Sequence, residues 1–230
     1  MPDTSFRRGQ AEWALWRMFD FGVHANRTMP PAFRTRIKKL LDIDRSGAMA
    51  GQGPNASALA FADEQPEGSG SEAAFTPFDV FCLALALDLL DMGFKQAEIV
   101  FLLRHIRQAL RPVFQRIVRH YPPANRRPYP AADYPNCPTT KNQNGAEVLD
   151  PNVYLLVSKI EIRELAPAQA RVQPLITPPT ICYGREELVT KLPTFMTPQR
   201  KALAIEIGQH ARLATPMLQD APLTKRGRKA

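Results

Sequence analysis

Cysteine, histidine and tryptophan are scarce in this chain of 230 residues, which holds three, four and two of them. The cysteines, Cys82, Cys137 and Cys182, are odd in number and far apart. No pair has metal-ligand spacing, so neither a disulfide framework nor a zinc site is expected. Cys82 lies in an apolar run and reads as a small core residue, which suits a reducing compartment. His24, His105, His120 and His210 are scattered, and each reads as a surface or capping residue. No metal and no cofactor is therefore expected.

The glycine pairs Gly51-Gln52-Gly53 and Gly68-Ser69-Gly70 lack a preceding strand and a following Lys-Ser/Thr, so no phosphate-cradling loop is predicted. A Gly-x-Ser-x-Gly elbow and a Cys/His signature are also missing. The acidic pairs Glu186-Glu187 and Asp42/Asp44 are neighbours in sequence, which does not make them catalytic. The expectation is a protein that is not an enzyme. Long apolar runs are absent too. The most apolar stretch, Val80–Phe94, is broken by Asp88 and Asp91 and falls short of the about 20 apolar residues a membrane span takes. Met1–Gln10 is polar and basic, without the apolar centre of a secretory leader. A cytoplasmic protein without a membrane is expected.

Basic residues are in excess. Thirty Lys and Arg against 22 Asp and Glu give a formal charge of +8 and a pI of about 9.7. Such a balance favours contact with polyanions, among which nucleic acid is commonest. Apolar residues make up 44%, enough for a core. Proline is dense over Pro122–Pro138, among Asn125, Arg126, Arg127 and Tyr129, which reads as an extended connector. A Gly-, Ala- and Ser-rich zone runs from Ser46 to Ser71.

Four helices are predicted before the connector. The first covers Arg8–Phe19, with Trp13, Leu15, Trp16, Met18 and Phe19 too dense for a solvated helix. Gly22 is a plausible stop. The second opens at Pro30-Pro31 and puts Phe33, Ile37, Leu40 and Leu41 on one face. Arg34, Thr35, Lys38 and Lys39 lie off that face, and Arg36 flanks it. An apolar back with a basic front suits a major-groove recognition helix and also an ordinary surface helix. The third helix has a capping Thr76, Pro77 at its first position and Asp79 in its first turn. Gly93 suits its end. The fourth spans Lys95–Leu110, with Pro112 ending or kinking it. It carries Arg104, Arg107 and Arg111, with Arg116 and Arg119 beyond. Glu98 is the only nearby acid after Asp91, so this one-signed run calls for an anion.

The C-terminal part carries mixed signals. Val153–Arg163 reads as a strand with Tyr154, Leu156, Ile160 and Ile162 on one side. Thr180–Tyr183 reads as a second strand, Arg185–Leu192 as a short helix, and Thr197-Pro198 as the start of a last helix to Leu213.

The order of elements, and "DVFCLALALDLLDMGFKQAEIVFLL" over Asp79–Leu103 in particular, resembles the MerR-type winged helix. There a helix ends in Leu-Gly-Phe and the next begins with polar residues and Glu-Ile. Here Met92-Gly93-Phe94 and Glu98-Ile99 stand in those places. The resemblance implies that Gly93 makes the tight turn and that Phe94 and Ile99 lock the two helices. It implies a recognition helix over Pro31–Asp42 and a wing within Arg45–Phe75. The turn Asp20–Met29 is longer than the family's, and its long coiled coil after the fourth helix is not evident. The tail Lys225-Arg226-Gly227-Arg228-Lys229 resembles the AT-hook, in which arginines reach along a narrow minor groove.

The expected fold is mainly α: a helical winged-helix-like unit over 1–121, a Pro-rich linker over 122–150, a small α+β partner or dimerisation unit over 151–216 and a basic tail over 217–230. The expected function is a sequence-specific, nucleoid-associated transcriptional regulator. It would contact double-stranded DNA through Arg34, Thr35, Arg36, Lys38, Lys39 and Arg45, with a second stripe of Arg104, Arg107 and Arg111 and the tail residues Arg226 and Arg228. A homodimer and RNA polymerase or another regulator are the expected protein partners. The alternative is an adaptor that binds an acidic protein without nucleic acid.

Overall fold

A computed structural model of the protein describes residues 5–20, 28–46, 59–63, 74–124, 129–159, 179–196 and 201–222. Those residues form six α-helices and small antiparallel sheets. They divide into two compact units, one built from 1–111 with 213–230 and the other from 112–212.

In the first unit, β1 (Phe6–Arg7) leads into α1 (Arg8–Asp20) and pairs antiparallel with β2 (Ala74–Phe75), Phe6 opposite Phe75. Helix α2 (Pro31–Ser46) follows α1, and α3 (Pro77–Asp91) follows β2. Helix α3 is apolar all round from Val80 to Leu87, as a helix enclosed by its neighbours must be. Val80 through Ala86 are each fully buried. Both α1 and α2 pack on it. The start of α3 is fixed by a reciprocal cap. The Thr76 hydroxyl accepts from the Asp79 N–H while the Asp79 carboxylate accepts from the Thr76 N–H. Two of the helix's unpaired N–H groups are thereby satisfied. The start of α2 is held by rings: Phe33 meets Trp16 and Phe19 of α1 edge-on, at centroid distances of 5.5 and 6.2 Å.

Gly93 turns α3 into α4 (Gln96–His120) at a φ of +82°, and a Cβ there would meet nothing within 4 Å. Its requirement is thus purely conformational. A Gly93→Ala protein is expected to lose about 1–2 kcal/mol, the cost of holding a side-chain residue in the left-handed region. Urea unfolding of the two proteins measures it.

Helix α4 runs on through Pro112 to His120, ten residues past the predicted end at Leu110. Proline removes the donor to the carbonyl of Gln108. Gln108 is exposed, so water can serve that carbonyl, while Val113, Phe114 and Ile117 gain burial by continuing the helix.

In the second unit, residues 129–150 are not a bare linker. They hold a 3₁₀ turn at Ala131–Asp133 and the hairpin of β3 (Thr139–Lys141) and β4 (Glu147–Leu149). A three-stranded sheet of order β6-β5-β7 follows, from β5 (Val153–Lys159), β6 (Thr180–Tyr183) and β7 (Lys201–Glu206). Val153 and Leu155 through Ser158 are buried, so β5 is a central strand covered on both faces rather than a half-exposed one. The last predicted helix is overturned in its first half. Lys201–Glu206 is a strand paired with Tyr154–Lys159 in register, and the helix, α6 (Gly208–Gln219), begins only after it. The Ala, Leu and Lys there favour a helix, but the ladder to β5 outweighs that weak preference. Helix α5 (Arg185–Phe195) starts at Gly184, whose φ is +85°. A Cβ there would stand 3.1 Å from Pro138 Cβ and 3.3 Å from Asp150 Oδ2. In place of a side-chain cap of its own, α5 uses that Asp150 carboxylate, which accepts the Arg185 N–H.

Candidate nucleic-acid interface

Helix α2 separates its two faces cleanly. Ile37, Leu40, Leu41 and Asp44 are buried. Arg34, Thr35, Arg36, Lys38, Lys39 and Arg45 are all exposed. Lys38 and Lys39 stand one helical turn beyond Arg34 and Thr35, so four of these side chains form one outward strip. Lys38, Lys39 and Arg45 form no ion pair among the described residues. Arg34, 62% exposed, approaches Glu12 at 3.6 Å, and Arg36 pairs with exposed Asp91 at 2.9 Å. The Arg36–Asp91 pair is exposed on both sides, and such a pair contributes little and is readily exchanged for another anion. Glu12, by contrast, is buried and keeps Arg8 as its cation when Arg34 turns to another anion. The Thr35 hydroxyl donates to the Pro31 carbonyl of its own helix, and its oxygen keeps its capacity to accept.

The buried Asp44 on the rear of α2 anchors it. Its carboxylate accepts the N–H groups of Ala60 and Phe61 and the Nε–H of Arg104, the last at 2.8 Å. Arg104 also donates to the Asp44 carbonyl. One turn further along α4, Arg107 donates to the Ala60 carbonyl, to Asp63 at 2.9 Å and to Asp79 at 2.5 Å. Arg111 pairs with Asp63 as well. The Arg107 and Arg111 guanidinium groups lie 4.8 and 4.5 Å from the Phe78 ring centroid. Residues 59–63 are a short bent segment in which side chains of α2 and α4 take up the N–H groups of Ala60 and Phe61 and the C=O of Ala60.

This arrangement corrects the expected second DNA stripe. Arg104 and Arg107 are only 6% and 5% exposed, and Arg111 is half-buried against Phe78 and Asp63. Their anions are Asp44, Asp63 and Asp79, so Arg104 and Arg107 are withdrawn from any phosphate. Sequence reasoning looked for acids along α4 alone and missed three from other elements. A signal was there. Val100, Arg104, Arg107 and Arg111 recur at i, i+4, i+7 and i+11 beside the apolar face, the spacing of a stripe directed inward.

No family model, curated protein or solved structure matches this chain. The site therefore stands on its own geometry. The expected wing lies largely outside the described residues, as do Arg226 and Arg228 of the tail. Among the described residues no group of His, Cys, Asp and Glu is placed to hold a metal ion, and no helix is long and apolar enough to cross a membrane.

Burial raises the Asp63 carboxyl, but hydrogen bonds from Arg107 and Arg111 and their charges carry it below the ordinary 3.8. A carboxyl lowered on folding stabilises the fold above its unfolded value and ceases to do so as pH falls through its folded value. The grip on residues 59–63 is thus expected to weaken below about pH 4. Unfolding midpoints measured across the acid range should fall less steeply in Asp63→Asn than in the parent, though from a lower plateau.

Proposed function

We propose that the protein binds double-stranded DNA through the outward face of α2 and acts as a transcriptional regulator rather than as an enzyme. One observation carries the reading: Arg34, Thr35, Lys38, Lys39 and Arg45 are exposed on a helix whose opposite face is buried and pinned through Asp44. A helix held rigidly from behind, with cations in front, suits insertion into a major groove. The order β1-α1-α2-β2-α3-α4, with β2 returning to pair with β1 after a long connection, supports a winged-helix reading of this unit. The net charge of +8 supports a polyanionic partner. Phosphate contacts release condensed counterions, so affinity must fall steeply with salt.

The test is fluorescence anisotropy of a labelled random-sequence duplex titrated with protein at several salt concentrations. The expected result is binding whose log–log salt slope lies at or below about −3. Absence of binding at low salt, with retention of the protein by an acidic partner that excess duplex does not displace, would replace this reading with that of an adaptor.

A further inference from the structure

Helix α4 carries two sets of arginines with opposite surroundings. Arg104, Arg107 and Arg111 are neutralised by Asp44, Asp63 and Asp79. Past Pro112, in the second unit, Arg116 and Arg119 form no ion pair among the described residues. Pro112, Gln115, Arg116, Arg119 and His120 recur at i, i+3, i+4, i+7 and i+8, which is one helix face. With Asn136 opposite, they line a recess of about 370 Å³. Among the described residues no carboxylate lines it. The charge of Glu187 reaches Arg116, but that carboxylate already accepts from Lys191 Nζ and from the Tyr183 N–H at 2.6 Å.

The side chains around the recess present donors. Arg116 is held with its guanidinium 4.0 Å over the Tyr183 ring, which fixes its plane without using its N–H groups. The Asn136 amide nitrogen lies 3.3 Å from His120 Nδ1. With that amide donating to Nδ1, the neutral ring carries its proton on Nε2, a further donor. The two guanidinium groups, Arg116 and Arg119 one helical turn apart, repel each other until an anion enters, and the imidazole and the Gln115 amide add uncharged donors beside them. Planar guanidinium forks match the oxygens of phosphate. The volume lies at the small end of the range for small-molecule sites. A phosphate in a duplex backbone stands on a convex ridge, whereas a concavity admits a terminal group.

We infer that this recess binds the terminal phosphate of a small phosphorylated molecule, a ligand site separate from the α2 face. The experiment is calorimetric titration of the full chain with inorganic pyrophosphate at constant ionic strength. Saturable one-site binding is expected. Arg119→Gln and Asn136→Asp should each weaken it at least about tenfold, the first by removing a fork and the second by placing a carboxylate in the recess. Both positions are exposed, and circular dichroism verifies that each variant folds. Lys38→Gln/Lys39→Gln on α2 should bind pyrophosphate as the parent does. Unsaturable uptake, or an equal loss in the α2 variant, would overturn the inference. Failure of pyrophosphate to bind would overturn it as well, and a loss of duplex affinity in Arg119→Gln would then assign the recess to the DNA surface. The reading of α2 as a DNA face stands or falls on duplex titration and is untouched by the pyrophosphate result.

Discussion

Replacing Arg107 with alanine is expected to lower the unfolding free energy by about 3–5 kcal/mol, the loss typical when one partner of a buried ion pair is removed. The reason lies in what the substitution strands. Asp79, only 2% exposed, would lose its cation, and the Ala60 carbonyl its donor. A buried group left unpaired carries its full desolvation penalty. In thermal unfolding the drop should be about 10 °C or more. Arg107→Met keeps much of the side-chain bulk and should be nearly as damaging, because the stranded carboxylate dominates over the lost packing. Adding Asp79→Asn to Arg107→Met should recover part of the loss, since the uncompensated charge is then gone. If Arg107→Ala costs under about 1 kcal/mol, the grip of α4 on residues 59–63 is not what holds this unit together.

The second large effect concerns DNA. Arg34→Ala/Lys38→Ala/Lys39→Ala should weaken duplex binding by about 100- to 1,000-fold near physiological salt, at roughly 0.9–1.4 kcal/mol per contact. The salt slope should become shallower by about 2 to 3, one phosphate neutralised per residue removed. All three side chains are exposed and the apolar rear of α2 is unchanged, so folding should be unaffected. Anisotropy with the same labelled duplex reads both quantities. Arg107→Ala should weaken binding only in proportion to the fraction unfolded, and with the parent's slope. That difference separates a residue on the DNA face from one that supports it.

The helices were legible where local chemistry decides. Thr76, Pro77 and Asp79 mark the start of α3, and Gly93 marks its end, because caps and tight turns are made by neighbours in sequence. The strip on α2 was legible for the same reason: helical spacing alone separates Ile37, Leu40 and Leu41 from Lys38 and Lys39. What sequence reading missed depends on partners far along the chain. Lys201–Glu206 becomes a strand because β5 presents an open ladder, and nothing in its own composition announces that. Arg104 and Arg107 look like a solvated basic stripe until Asp44, at 60 residues' distance from Arg104, is seen to face it. Pro112 signals an end to α4, yet the continued apolar period of Val113, Phe114 and Ile117 prevails.

The most direct test of the α2 face is site-directed DNA cleavage. The three native cysteines are buried, and burial pushes the Cys82 and Cys137 thiols up to about 12 and about 11, so an introduced exposed thiol is labelled selectively. An iron chelate attached through Thr35→Cys on α2 is expected to cut bound duplex efficiently, and the same chelate on Val189→Cys of α5 to cut it weakly. Equal cutting from both positions, or cutting from Val189→Cys alone, would contradict the assignment of α2 as the face that meets DNA.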